Sequence, residues 1–385
     1  MGGLGKRNKE LDSLRGIAAI SVLMYHTLAI NFPFLQAGIG LAPVPGIANN
    51  LLVYSPLHVF WLGAEAVWMF FVLSGFVLTR VAAKESFSWD AYYPSRMVRL
   101  YLPVFAAVAL AWVSFVVVAH VPTAADGDTL TGLATDYPLL SIVHDLTVVG
   151  GTSTSLGVLW SLQWEIIFSL SLPVYLFLVR RHGLAAGIIA GVACLLGWYI
   201  NDPVTSFLPM FLLGALLAQY WSSIARAFSF LTTRSVRSFA AGVVLITVSI
   251  LAMCSFYLLG RDISNAGWPP RVVTLPLALG GISLLLVLAQ VWIPLRALLS
   301  SRVPVFLGTI SFSLYLVHRP IAVALAFALH IGKTSAVLTV VVSLVVACLF
   351  YFAIERPAHH LSQRIASRVR ARASSSDAVM RRAGS

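Results

Sequence analysis

An all-α, polytopic membrane protein with about ten transmembrane helices is what this sequence predicts, on three observations. Of its 385 residues, 59% are hydrophobic and 10% charged, outside the range of an ordinary soluble domain. Apolar runs of spanning length recur from one end to the other. The basic residues fall almost wholly between alternate runs, as the positive-inside rule requires of a membrane chain.

In order, the apolar runs occupy residues 14–32, 57–79, 100–120, 157–179, 184–200, 204–221, 239–259, 272–290, 303–329 and 335–354. With both termini cytoplasmic, all of the 26 basic residues except Arg261, Arg271, Lys333 and the intrahelical Arg319 lie inside. That asymmetry sets the orientation and accounts for the net charge of +12, so no nucleic-acid partner is implied. No cleavable signal peptide is expected, because the first apolar run lacks a small-residue cleavage site. Residues 1–362 read as a single transmembrane domain and 363–385 as a disordered basic cytoplasmic tail attracted to anionic lipid. Cys194, Cys254 and Cys348 are few, scattered and apolar in context, which suits packing rather than disulfides or a metal.

The first outer loop, 33–56, has no charged residue and many Pro and Gly, and is expected to fold back onto the membrane. The second, 121–157, holds Asp126, Asp128, Asp136 and Asp145 without a Lys or Arg. Their spacing matches no compact ligand motif, and no metal is expected. No internal repeat is visible, which weighs against a transporter built from two similar halves.

Chemistry-bearing residues stand out inside these runs, where an ionisable group is a functional candidate by default. On the first helix, Asp12, Arg15 and His26 fall within about 60° of one another around the axis. If that helix enters lipid near Leu14, His26 lies ~18 Å along a core of ~30 Å. On the second, Glu65 precedes FFVLSGF, residues 70–76. Arg96 and Arg99, spaced i, i+3, face one way and suit a phosphate-bearing ligand, or else serve as inside anchors. The fourth run opens WSLQWE, placing Glu165 about one turn inside the outer boundary, and the ninth carries Ser311, Tyr315 and His318 along one stripe. Glu355, in IERP, is placed to pair with a nearby arginine.

These residue types fit acyl transfer: a histidine near neutral pKa removes a hydroxyl proton as the oxygen attacks a thioester, and arginines hold the donor's phosphates. A site between helices keeps bulk water from the donor. The alternative from another class is a proton-coupled secondary transporter of an acylated or acidic metabolite, with His26, Glu65 and Glu165 as its relay.

LDSLRGIAAISVLMYH, FFVLSGF, the R-x-x-R at Arg96 and Arg99, WSLQWE, ISFSLYLVH and IERP, in this order from Leu11 to Pro357, resemble the integral-membrane acyltransferases called acyltransferase family 3. The resemblance implies an O-acyltransferase moving an acyl group, usually acetyl from acetyl-CoA, to a hydroxyl of a surface polysaccharide, lipid or exported small molecule. His26 would be the catalytic histidine, Arg15 and Asp12 its supporting pair, and Arg96 with Arg99 the coenzyme A grip. Glu65, Glu165, Tyr315 and His318 would contact substrate. Acyl-CoA enters as a donor substrate, with no permanently bound cofactor, and a bacterial inner membrane is the implied location. The sequence departs from the family pattern at Trp68, where many members have an aspartate, after Glu165 at Ile166, Phe168 and Ser169, and at Phe312 and Val317.

Overall fold

The computed structural model describes residues 8–122 and 130–383, with side chains through residue 372. Among the described residues every regular element is helical. Helix α1 (Lys9–Asn31) begins where the Asn8 side chain accepts from the Leu11 N–H at 3.1 Å, pairing one of the donors that a helix start leaves open. The chain then passes over the bundle as α2 (Pro33–Ile39), α3 (Ile47–Val53) and a 3₁₀ turn (Pro56–Trp61) before α4 (Ala64–Ala82) returns. Leu35, Val44, Val53 and Trp61 are buried, so the uncharged first loop packs against the helices.

Next come α5 (Trp89–Val117), α6 (Leu139–Thr147), α7 (Leu159–Leu170), α8 (Leu172–Ile200), α9 (Pro203–Gln219) and α10 (Trp221–Ala227). They are followed by α11 (Val236–Met253), α12 (Ser255–Asn265), α13 (Pro270–Val291) and α14 (Ile293–Leu299). Last are α15 (Arg302–Leu329), α16 (Lys333–Phe350) and α17 (Arg356–Ala383). A π-helical turn, Tyr351–Glu355, joins α16 to α17, so the tenth expected run continues helically into the stretch read as a tail.

Eight described helices are long and apolar enough to cross a membrane, and the pair α9 and α10, bent by 70°, makes nine. The expected ten include two runs that fall on α7 and α8. Gly183, at φ +46°, breaks α8, and a Cβ there would strike the Tyr220 hydroxyl. Before the break, Tyr175 donates to the Leu208 carbonyl at 3.0 Å; after it, Gly197 abuts Thr205 and Ser206. The two halves of α8 therefore run in opposite directions beside α9, a hairpin with a helical bend. Its second half turns Leu184, Ile188, Ile189, Val192 and Leu196 outward, an apolar face suited to lipid. Asn201, in the left-handed conformation, then reverses the chain, and Asp202 caps α9 through the Thr205 N–H at 2.8 Å.

Small residues set the closest approaches, as expected where lipid supplies no hydrophobic drive between helices. Gly75 of FFVLSGF and Gly214 of α9 lie so close that a Cβ on either would meet the other helix's backbone. Gly16 and Gly308 do the same for α1 and α15. Ser13 donates to the Leu299 carbonyl at 2.6 Å and Ser21 to the Leu62 carbonyl at 3.1 Å, which ties α1 into the centre of the bundle.

Candidate active site

The polar stripe of α1 faces α15 and α5. Near its start Arg15 lies 4.0 Å from Asp12, and both line a cavity of about 290 Å³. Further along, His26 meets His318 of α15 with ring centroids 5.3 Å apart. His318 is fully buried; its Nδ1 donates to the Leu314 carbonyl at 3.0 Å, as the acceptor-only carbonyl dictates, and its Nε2 has no hydrogen-bond partner. Pro320, expected to kink the helix beside His318, sits within an α15 that runs unbroken to Leu329.

The cavity brings together motifs that lie far apart in the chain. Arg96 donates to Glu165 Oε1 at 2.8 Å and to Ser169 Oγ at 3.0 Å, and Ser74 donates to the same Glu165 oxygen at 3.2 Å. Arg99 is enclosed by protein yet exposed to the cavity. Glu355, aimed inward by the π-helical turn, lines the wall and accepts from the Ser313 N–H at 3.1 Å and its hydroxyl at 2.5 Å. At the cavity's inner end the Tyr315 and Ser161 hydroxyls are 2.5 Å apart, and Tyr315 donates to the Val158 carbonyl at 3.1 Å. The Tyr315 ring is 5.8 Å from that of His318, so one side chain separates the cavity from the histidine pair. His26 itself is not among the cavity's lining residues.

Three arginines and three carboxylates line this space, so it is not simply basic. Arg96 is occupied by Glu165 and Ser169, whereas Arg99 presents its guanidinium to the cavity. At about 290 Å³ the volume sits at the lower end of the range for ligand sites, ~300–1,000 Å³. It suits the arm of an extended molecule.

Two expected positions change. Glu165 is not near an outer boundary: it lies level with Arg96, because α7 starts deep in the protein. The preceding segment carries it inward, with Val148, Leu156 and Val158 buried and Arg319 donating to the carbonyls of Thr154 at 2.8 Å and Leu156 at 3.2 Å. Glu65 does not line the cavity; it is fully buried at the start of α4 and paired with Arg271 at 2.5 Å. Because Glu65 and Glu165 are each held by an arginine in separate places, they do not form one relay with His26. In the second outer loop, Asp126 and Asp128 lie outside the described residues. Buried Asp145 accepts from Tyr137 at 2.7 Å and from the Ser153 N–H and hydroxyl at 2.6 Å each, an organising role.

Ser169 and Arg271 are partners that sequence reasoning missed. Ser169 appears in the sequence only as a departure from a family pattern, and Arg271 only as an outside charge. Neither has a local signal, since each meets its partner across a long sequence separation.

Taken together, the fold and the cavity define a polytopic helical membrane protein with a charged chamber leading to the paired rings of half-buried His26 and buried His318. Residues 8–356 match the acyltransferase domain of acyltransferase family 3, and the chain belongs to that family. It is similar to acyltransferase MdmB of Streptomyces mycarofaciens, 31% identical over 49% of this chain and 46% of that one. It is also similar to nodulation protein 10 of Rhizobium leguminosarum bv. viciae, 27% identical over 58% and 63% respectively. The matched stretches thus span about half to under two thirds of these relatives. No solved structure matches the chain.

Proposed function

We propose that this acyltransferase moves an acetyl or other short acyl group from cytoplasmic acyl-CoA to a hydroxyl of a cell-surface glycan, lipid-linked sugar or exported small molecule. The observation that carries the reading is the chamber that runs from Arg15, Arg96 and Arg99 to Tyr315, one side chain from His318 and His26. In this reading the phosphates of the donor meet Arg99 first, with Arg15 beside it and Arg96 shared with Glu165. The pantetheine arm fills the chamber, and the thioester reaches the histidine pair past Tyr315.

The acceptor oxygen attacks the thioester carbonyl carbon as its proton passes to a His26 ring nitrogen. The carbon–sulfur bond then breaks, and the CoA thiolate takes the proton back from the imidazolium. Asp12 and Arg15 hold the inner end of the same helix. Enclosure between helices limits loss of the donor to water. The positive-inside asymmetry supports a cytoplasmic opening for the chamber, in a bacterial inner membrane.

The test is CoA release from acetyl-CoA by membranes holding wild type or His26→Ala at matched expression, with a crude glycan or lipid fraction as acceptor. Release by wild type alone is expected. Equal release removes His26 from the mechanism, and an acyl-His26 adduct trapped on the protein replaces direct transfer with a two-step route.

A further inference from the structure

On α8, Pro173, Leu176, Phe177, Arg180 and Arg181 recur at three- and four-residue spacing, so they share one side of the helix. With Trp89 at the start of α5 they line an open groove of about 420 Å³ that has no residue in common with the arginine-lined chamber. Its two walls are joined where the Tyr93 hydroxyl of α5 donates to the Leu170 carbonyl at 3.3 Å. The Trp89 ring packs on Phe87 and Tyr93, with centroids 4.8 Å and 5.7 Å apart. No carboxylate is among the described residues that line the groove.

Arg180 and Arg181 are exposed, and among the described residues neither has an ion pair or a hydrogen bond. Arg96, Arg261, Arg271 and Arg319, by contrast, each hold a protein partner. Water alone satisfies an exposed guanidinium, but it does not suit what lies beside these two. Phe177 is 60% exposed and Val174 56%, and they precede Arg181 by one and two turns, ~6 Å and ~10 Å along the axis. The distribution of basic residues marks the arginine end as cytoplasmic, so the two apolar side chains lie deeper in the bilayer.

Charge at the water boundary with exposed hydrocarbon beneath it is the order of groups in a phospholipid. Basic pockets between membrane helices on the cytoplasmic side attract anionic headgroups, and aromatic residues such as Trp89 and Tyr93 favour the same level. A water-borne anion would engage the arginines and leave Phe177 and Val174 uncovered. A zwitterionic lipid would bring its own cation to the two guanidinium groups and gain less.

We propose that the groove of Trp89, Leu176, Phe177, Arg180 and Arg181 binds an anionic phospholipid of the cytoplasmic leaflet. Its phosphate meets the two guanidinium groups, and an acyl chain lies along Phe177 and Val174. So seated, the lipid bridges α5 and α8 beside the chamber wall, where Tyr92 donates to the Ser169 carbonyl at 3.3 Å. The site does not depend on the acyl-transfer reading.

Native mass spectrometry of the full chain in detergent, titrated with palmitoyl-oleoyl phosphatidylglycerol or the matching phosphatidylcholine, tests it. Wild type is expected to bind the first phosphatidylglycerol about tenfold or more tightly than phosphatidylcholine. Arg180→Gln with Arg181→Gln, at two exposed positions, is expected to remove most of that preference. Arg234→Gln with Arg237→Gln deletes the same charge at exposed residues that line neither cavity, and is expected to leave the preference intact. Phe177→Ala, which keeps both charges, is expected to weaken phosphatidylglycerol binding about threefold or more. Equal losses from the two arginine pairs would reduce the effect to diffuse charge and overturn the site, as would a wild type without preference. Unaltered binding in Phe177→Ala overturns it too, because no chain would then lie in the groove. Displacement of the bound lipid by free CoA would overturn it in favour of a nucleotide phosphate.

Discussion

Gly16 on α1 and Gly308 on α15 meet backbone to backbone. Because the helices run in the same direction, this contact fixes their register: His26 lies ten residues beyond Gly16, and His318 ten beyond Gly308. About 15 Å of paired helix carries that register to the histidines. A methyl at Gly308 forces the helices apart, an overpacking that costs ~1–3 kcal/mol. Gly308→Ala is therefore expected to lower Tm in detergent and slow CoA release. Unchanged Tm and turnover would mean that the glycine contact does not govern the histidine pair.

Arg96 and Glu165 have side chains only 11% and 24% exposed, so each neutralises a charge that water reaches poorly. Removing one partner of such a pair costs ~3–5 kcal/mol when burial is complete, and somewhat less here. Arg96→Ala is expected to be clearly destabilised, and adding Glu165→Ala to recover much of the loss. If the same double variant also recovers CoA release, the pair serves stability alone; continued inactivity ties it to the donor site. Thermal unfolding and CoA release on the four proteins of the cycle separate these outcomes.

The stripe of Asp12, Arg15 and His26 is legible in the sequence because one helix with 3.6 residues per turn carries it whole. The meeting of His26 with His318 is not, since no local pattern relates two helices separated by nearly the whole chain. Glu165 shows where length reasoning fails. Its segment has the composition of an ordinary outer loop followed by a span, and only the grip of Arg319 on Thr154 and Leu156 reveals that the loop descends into the protein. Gly183 marks the opposite case. Two runs expected as separate helices are indeed antiparallel, although their helical geometry is nearly continuous through the turn.

His58 lies in the connection between spans, where burial lowers its pKa to about 3. In the unfolded chain it titrates near 6.5, so below that pH the unfolded state binds a proton that the folded state refuses. Stability therefore falls as pH drops from about 6.5 toward 3, by at most ~1.4 kcal/mol per pH unit, and the loss stops below the folded value. The segment that opens is expected to be 40–61, which His58 holds together through the Val53 carbonyl and anchors to the bundle by stacking on Tyr257. Protease cleavage within that segment should rise between pH 7 and pH 4 in wild type and change less in His58→Gln. Equal pH dependence in both would assign the effect to another group.

Gly157 and Arg319 hold the descending segment together. Gly157 adopts φ +66°, a left-handed conformation that costs other residues ~1–2 kcal/mol, and a Cβ there would occupy the space of the Arg319 guanidinium. Gly157→Ala thus incurs both backbone strain and a collision that loosens Arg319 from the Thr154 and Leu156 carbonyls. Arg319→Ala loses the same hydrogen bonds but removes the obstacle. The two substitutions should be less than additive, with the double variant retaining the backbone cost but not the collision. Their effects on Tm in detergent test this directly. Full additivity would mean that the guanidinium does not pack against Gly157. Sub-additive stability with CoA release lost in all three variants would show that the descent of 148–158, which delivers Ser161 to Tyr315 and Glu165 to Arg96, is required for turnover.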